Sequence, residues 1–129
     1  MNKGSTLFSI GLPLNPQNAS HFSGQAFMNV LVSADSSLGV PVTYMTFEPN
    51  AKTHWHKHPG GQILLCIEGK GYYQEWEGNL RTLNPGDVVE IDRNVKHWHG
   101  AQNHHTFSHL TLSTNPQEGS VEWLEAVIG

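Results

Sequence analysis

Between Ala26 and the end of the chain, apolar character comes only in short bursts, and glycine, proline or asparagine cuts off each burst before a long helix can form. Ala26–Val32 stops at the loop Ala34-Asp35-Ser36-Ser37-Leu38-Gly39, and Val42–Phe47 stops at Pro49-Asn50. Ile63–Ile67, Tyr72–Trp76, Leu80–Leu83, Val88–Ile91, Lys96–Ala101 and Phe107–Leu112 repeat the pattern. Bursts rich in β-branched and aromatic residues are strands. This many short strands predict an all-β fold, a small antiparallel barrel or jelly roll whose interior holds one small ligand. Glu68-Gly69-Lys70-Gly71 and Gln102-Asn103-His104-His105 read as hairpin connections. Ala26–Val32 is apolar on both faces, so both are expected to be covered, one of them at a subunit contact. Val121–Val127 fits either a strand or a short helix.

The chain of 129 residues is expected to be one domain, with residues 1–25, rich in Pro, Asn and Ser after Gly11, as a loosely held arm and 26–129 as the barrel. Charged residues make up only 14% and the net charge is −4 without a basic cluster. That balance disfavours nucleic acid and anionic membrane as partners and favours a small-molecule substrate. No stretch approaches the roughly 20 apolar residues that span a bilayer, and the start lacks a secretion signal, so a cytoplasmic protein is expected. The single cysteine, Cys66, sits in an apolar run and reads as a small buried hydrophobe.

Into this framework the sequence sets Thr53-His54-Trp55-His56-Lys57-His58-Pro59-Gly60-Gly61-Gln62. On one extended strand, alternate side chains share a face, so His54, His56 and His58 would project together while Trp55 and Lys57 point away. Imidazole is the commonest metal-binding side chain, and Gln62 adds a neutral oxygen.

Longer spacing narrows this reading. Asn50, His56, His58, Gln62 and Gly69 follow the first motif of the cupin superfamily, G-x5-H-x-H-x3,4-E-x6-G, with Asn for the leading Gly and Gln for Glu. From Gly86 to His97 and Ala101 the chain resembles the second motif, G-x5-P-x-G-x2-H-x3-N, keeping the first Gly and the His but not the Pro, the second Gly (Asn94 here) or the final Asn. Asn at 50 and 94 is the mildest replacement for Gly, because Asn best tolerates a left-handed backbone. Trp55-His56-Lys57-His58-Pro59-Gly60-Gly61-Gln62 and His97-Trp98-His99-Gly100-Ala101 are similar to segments of small single-domain cupins related to carboxymuconolactone decarboxylase-associated cupins, a group that includes manganese-dependent hydroxynitrile lyases.

The resemblance implies a divalent metal held by His56, His58, Gln62 and His97, with His54 moved to the periphery. Manganese is the ion it favours; iron, nickel and zinc tolerate the same ligands. Four neutral ligands leave the ion its full charge and make it a stronger Lewis acid. His99 shares strand parity with His97, and His109 reaches inward from the last long strand; either has the intrinsic pKa of a general base. The leading expectation is a lyase on a small hydroxy or carbonyl compound. An iron-dependent oxygenase and a non-enzymatic metal- or ligand-binding module are the alternatives, and a homodimer is expected by analogy with small cupins. His104 and His105 fall in a turn and are expected to face solvent.

Overall fold

The computed structural model describes residues 7–128, so residues 1–6 of the expected arm and Gly129 lie outside the described residues. In chain order the elements are β1 (Leu12–Pro13), α1 (Pro16–Ala19), β2 (Phe22–Ser23), β3 (Ala26–Val32), β4 (Val42–Phe47), β5 (Lys52–Thr53), β6 (His56–Lys57) and β7 (Gln62–Gly69). There follow β8 (Gly71–Glu75), β9 (Arg81–Leu83), β10 (Val88–Ile91), β11 (His97–Ala101), β12 (Phe107–Ser113), a 3-10 turn (Pro116–Glu118) and β13 (Glu122–Trp123). The strands form two antiparallel sheets. One runs β1-β3-β4-β12-β7-β10; in the other, β11 is flanked by β5 and β6 on one side and by β8 on the other, with β2, β13 and β9 further out. The fold is all-β, as the short bursts required. No helix among the described residues is long and apolar enough to cross a membrane.

Alternation along the strands decides what lies between the sheets. In β10, Val89 and Ile91 are buried while Val88 and Glu90 face out; in β7, Gln62, Leu64 and Cys66 are the buried set. Leu64, Cys66, Val89 and Ile91 form an apolar cluster with Phe47, Leu83 and Phe107, and Gln62 lies outside it. Cys66 belongs to it, and burial pushes its thiol up to about 11, so it packs as a small hydrophobe.

Two connections differ from the hairpins that their sequences predict. β7 and β8 are separated by one residue, yet β7 pairs with β10 and β12 while β8 pairs with β9 and β11. Likewise β11 and β12 belong to opposite sheets. At both places the chain crosses between sheets instead of folding back. The crossing after β7 needs its glycines: Gly69 sits at φ 81 where a Cβ would strike the Thr106 carbonyl, and a Cβ at Gly71 would enter the Phe107 ring. The β8–β9 turn is a true hairpin, with Glu77 at φ 64. Asn50 and Asn94 adopt φ 67 and 61, the left-handed geometry that motivates Gly at those motif positions.

The segment before β3 contributes a strand to each sheet. β1 pairs with β3, with Pro13 on the sheet edge where a missing N–H is tolerated, and β2 pairs with β5. Between them Asn15 caps α1 through its side chain, 2.8 Å from the Asn18 amide. β3 spans Ala26–Val32 as expected, but Val30 is 55% exposed in the single chain.

Candidate metal centre

The histidine stretch is not one strand. β5 ends at Thr53, the chain bends at Trp55, and β6 resumes at His56. The bend is held from outside: the Trp55 amide donates to the Glu125 carbonyl (2.9 Å), the Leu124 amide donates to Trp55 (2.8 Å), and the Trp55 ring packs edge-on against Trp76 at 5.0 Å. Parity is therefore lost between His54 and His56. His54 stays half-buried near His21 and supplies a backbone carbonyl instead of an imidazole.

That carbonyl is informative. The Nδ1 of His56 lies 2.9 Å from it, and the Nδ1 of His97 lies 2.9 Å from the Val95 carbonyl. A carbonyl only accepts, so each Nδ1 carries the hydrogen and each Nε2 presents a lone pair. His56 and His97 are paired across β6 and β11 with ring centroids 4.3 Å apart, and the His58 ring lies 5.1 Å from that of His56 and 5.9 Å from that of His97. The Nε2 atoms of His58 and His97 and the Oε1 of Gln62 are buried without a hydrogen-bond partner. An unmet buried acceptor costs about 1–3 kcal/mol, so three around one cluster call for a cation. The donor set fits one: three imidazoles and an amide oxygen, without a carboxylate.

His99 borders the same centre. Its ring stacks at 14° to that of His97, 5.9 Å away, and the ligand atoms of His56, His97 and His99 all lie within 4.8 Å of one another. His58 lies outside that triangle. The Nδ1 of His99 is engaged by His109 Nε2 at 3.1 Å, which leaves its Nε2 free as in His56 and His97; His58 and Gln62 are preferred as ligands because choosing His99 over them leaves their buried polar atoms unmet. The His99 amide donates to Thr53 Oγ1 (3.2 Å), and Thr111 Oγ1 sits 3.1 Å from His109 Nδ1.

Burial keeps these rings neutral. It is the leading cause that holds His56 and His99 well below the ordinary histidine range and brings His58, His97 and His109 down to about 4. His104 and His105 are exposed, as their turn position predicts.

The cluster opens on a cavity of about 300 Å³, bordered by His56, His58, Gln62 and His99. Its remaining wall is largely apolar, with Leu14, Phe22, Met28, Met45, Val121 and Trp123, and Thr43, Thr53 and Thr111 add hydroxyls. Among the described residues, none that lines it carries a charged side chain. The tail resolves as a strand: β13 pairs with β6, placing the Trp123 ring 4.7 Å from that of His56 and stacked on His21 at 4.6 Å. Thr53, Thr111 and Trp123 had not been expected in the site. Thr111 shares parity with His109, a signal the sequence did carry; Trp123 reaches the site through a pairing that no local pattern announces.

The chain is similar to known proteins. Residues 43–111 match the Cupin domain family. The (R)-mandelonitrile lyase of Granulicella tundricola is 37% identical over 109 residues, 84% of this chain and 83% of that protein. A cupin-like protein from Thermotoga maritima superposes with a TM-score of 0.90 at 41% identity, covering 95% of this chain and 91% of its own. A DMSP lyase from Ruegeria pomeroyi shares the fold alone, with a TM-score of 0.67 at 18% identity over 92% of this chain and 59% of its own. With a domain match over more than half its length and a relative this similar along most of it, the chain belongs to the cupin family.

Proposed function

We propose that this cupin is a metal-dependent lyase acting on a small, largely apolar hydroxy or carbonyl compound, with cyanohydrins as the first class to test. The observation that carries the reading is the His99–His109 pair: two buried, neutral imidazoles bonded to each other beside an acceptor set suited to a divalent ion. Similarity to a mandelonitrile lyase points the same way.

His56, His58, Gln62 and His97 would hold the ion, manganese by preference. When bound, it supplies Lewis-acid polarisation of a substrate oxygen. The chain's own groups do the rest. Apolar walls from Phe22, Met45 and Trp123 take the organic part of the substrate and exclude water. His99 borders the cavity and moves a proton at Nε2, the nitrogen left free by its bond to His109. With no charged side chain among the described residues of the wall, the cavity suits a neutral substrate.

The deciding experiment compares manganese-loaded and metal-free protein for cyanide release from mandelonitrile; equal rates would sink the reading. The same neutral donors suit iron(II), so an oxygenase is the competing reading, and turnover that requires dioxygen would favour it. We also propose a homodimer through the exposed apolar edge at Leu12, Val30 and Leu31; a monomer in sedimentation would oppose it.

A further inference from the structure

We propose that Thr111 is a positioning residue that, through His109, sets which ring nitrogen of His99 carries the hydrogen. The inference rests on the reading of His99 as the proton-transferring group.

Thr111 Oγ1, His109 and His99 form a chain with two links of 3.1 Å. His109 is fully buried, so neither of its nitrogens has water as an alternative partner. Thr111 and His99 line the cavity, and the chain between them therefore begins and ends at one space. A neutral imidazole has one N–H, and only two arrangements satisfy both links. In the first, the Thr111 hydroxyl donates to His109 Nδ1, His109 Nε2–H donates to His99 Nδ1, and His99 Nε2 carries a hydrogen toward the cavity. In the second, His99 Nδ1–H donates to His109 Nε2, His109 Nδ1–H donates to Thr111 Oγ1, and His99 Nε2 is a bare acceptor.

Going from first to second, the His99 Nε2–H bond breaks and its proton passes to a group in the cavity. The His109 Nε2 proton moves to His99 Nδ1, the Thr111 proton moves to His109 Nδ1, and Thr111 Oγ1 takes a proton from the cavity. On Thr111, His109 and His99 three bonds to hydrogen break and three form. For cyanohydrin cleavage the proton gained at Thr111 comes from the substrate hydroxyl and the one lost at His99 goes to the departing cyanide, so the number of protons on the pair is unchanged. Only a group that both donates and accepts serves both arrangements, which is what a hydroxyl does.

Thr111→Val keeps the shape and removes the hydroxyl. With the hydroxyl gone, the partner left to the other His109 nitrogen is the Leu110 carbonyl, which only accepts, so His109 keeps its hydrogen on Nδ1 and His99 is locked with its hydrogen on Nδ1 and a bare Nε2. In zinc-loaded protein, which is diamagnetic, ring-nitrogen NMR is expected to show His99 Nε2 averaged between protonated and bare in the native protein and in Thr111→Ser, and fully bare in Thr111→Val. In manganese-loaded protein, kcat of Thr111→Val is expected to fall about ten- to a hundredfold with KM and metal content unchanged, while Thr111→Ser stays within a few-fold. Native ring-nitrogen signals in Thr111→Val, or equal damage in Thr111→Ser, would overturn the proposal. If the native protein releases no cyanide, the lyase reading fails, and the nitrogen signals still decide the role of Thr111.

Discussion

Two groups of side chains share the interior of this barrel and are buried to the same degree, yet they finish their interactions differently. Leu64, Leu83, Val89, Ile91 and Phe107 are 0–3% exposed, and His56, His97, His99 and His109 are 0–4% exposed. The apolar group is complete in itself, because contact is all its surfaces require. The histidine group is not: it leaves lone pairs at His58, His97 and Gln62 facing protein interior and holds its rings uncharged against their ordinary tendency. Phe47 touches both, with its ring 6.3 Å from Phe107, 5.8 Å from His99 and 5.6 Å from His109. Burial that lowers stability for no structural return marks the functional half.

The contrast is most directly broken at the shared residue. Phe47→Ala is expected to lose about 3–5 kcal/mol in denaturant melts and to lower turnover as well, since it opens a cavity beside both groups. Leu64→Ala separates them: it should cost about 2–5 kcal/mol while metal affinity stays native. The two groups also differ in pH response. His58, His97 and His109 fall to about 4 in the fold against 6.5 for an ordinary histidine, so unfolding takes up protons between those values. Stability of the metal-free protein is therefore full above about pH 6.5, declines as pH falls to about 4, and levels off below, with the other titrating groups superimposed. Leu64→Ala should displace that curve without changing its slope, as melts across pH would show. His97→Ala should lose at least about a hundredfold in metal affinity by titration calorimetry, with little change in the apolar packing. The smallest effect belongs to His54→Ala, within about 0.5 kcal/mol and with native metal content, because only its backbone carbonyl serves the site.

What the sequence revealed follows from the range of each interaction. β3, β4 and β10 begin and end where their apolar bursts do, and the two asparagines at motif glycine positions adopt the backbone that their chemistry allows. Spacing also placed His56, His58, Gln62 and His97 in one neighbourhood. Pairing partners were less legible: a short glycine-rich link serves a hairpin and a crossing between sheets alike, and only the close packing of Gly69 and Gly71 on β12 distinguishes them. The expected common face of His54, His56 and His58 failed for a similar reason. The bend at Trp55 is fixed by hydrogen bonds to Leu124 and Glu125, some seventy positions away, far outside the period-two pattern. His99 and His109 were alternatives in the sequence; the fold bonds them to each other, and Thr111 joins them through the same register.

The cavity wall draws Leu14 and Phe22 from early in the chain and Val121 and Trp123 from late in it. A ribosome releases the chain from its N-terminus, so His56 through His97 emerge well before Trp123 can cover them. During synthesis the histidines therefore precede Val121 and Trp123, the last part of the wall that restricts access to them. Ion choice would then reflect the metal pool that the nascent chain meets as much as the preference of the finished site.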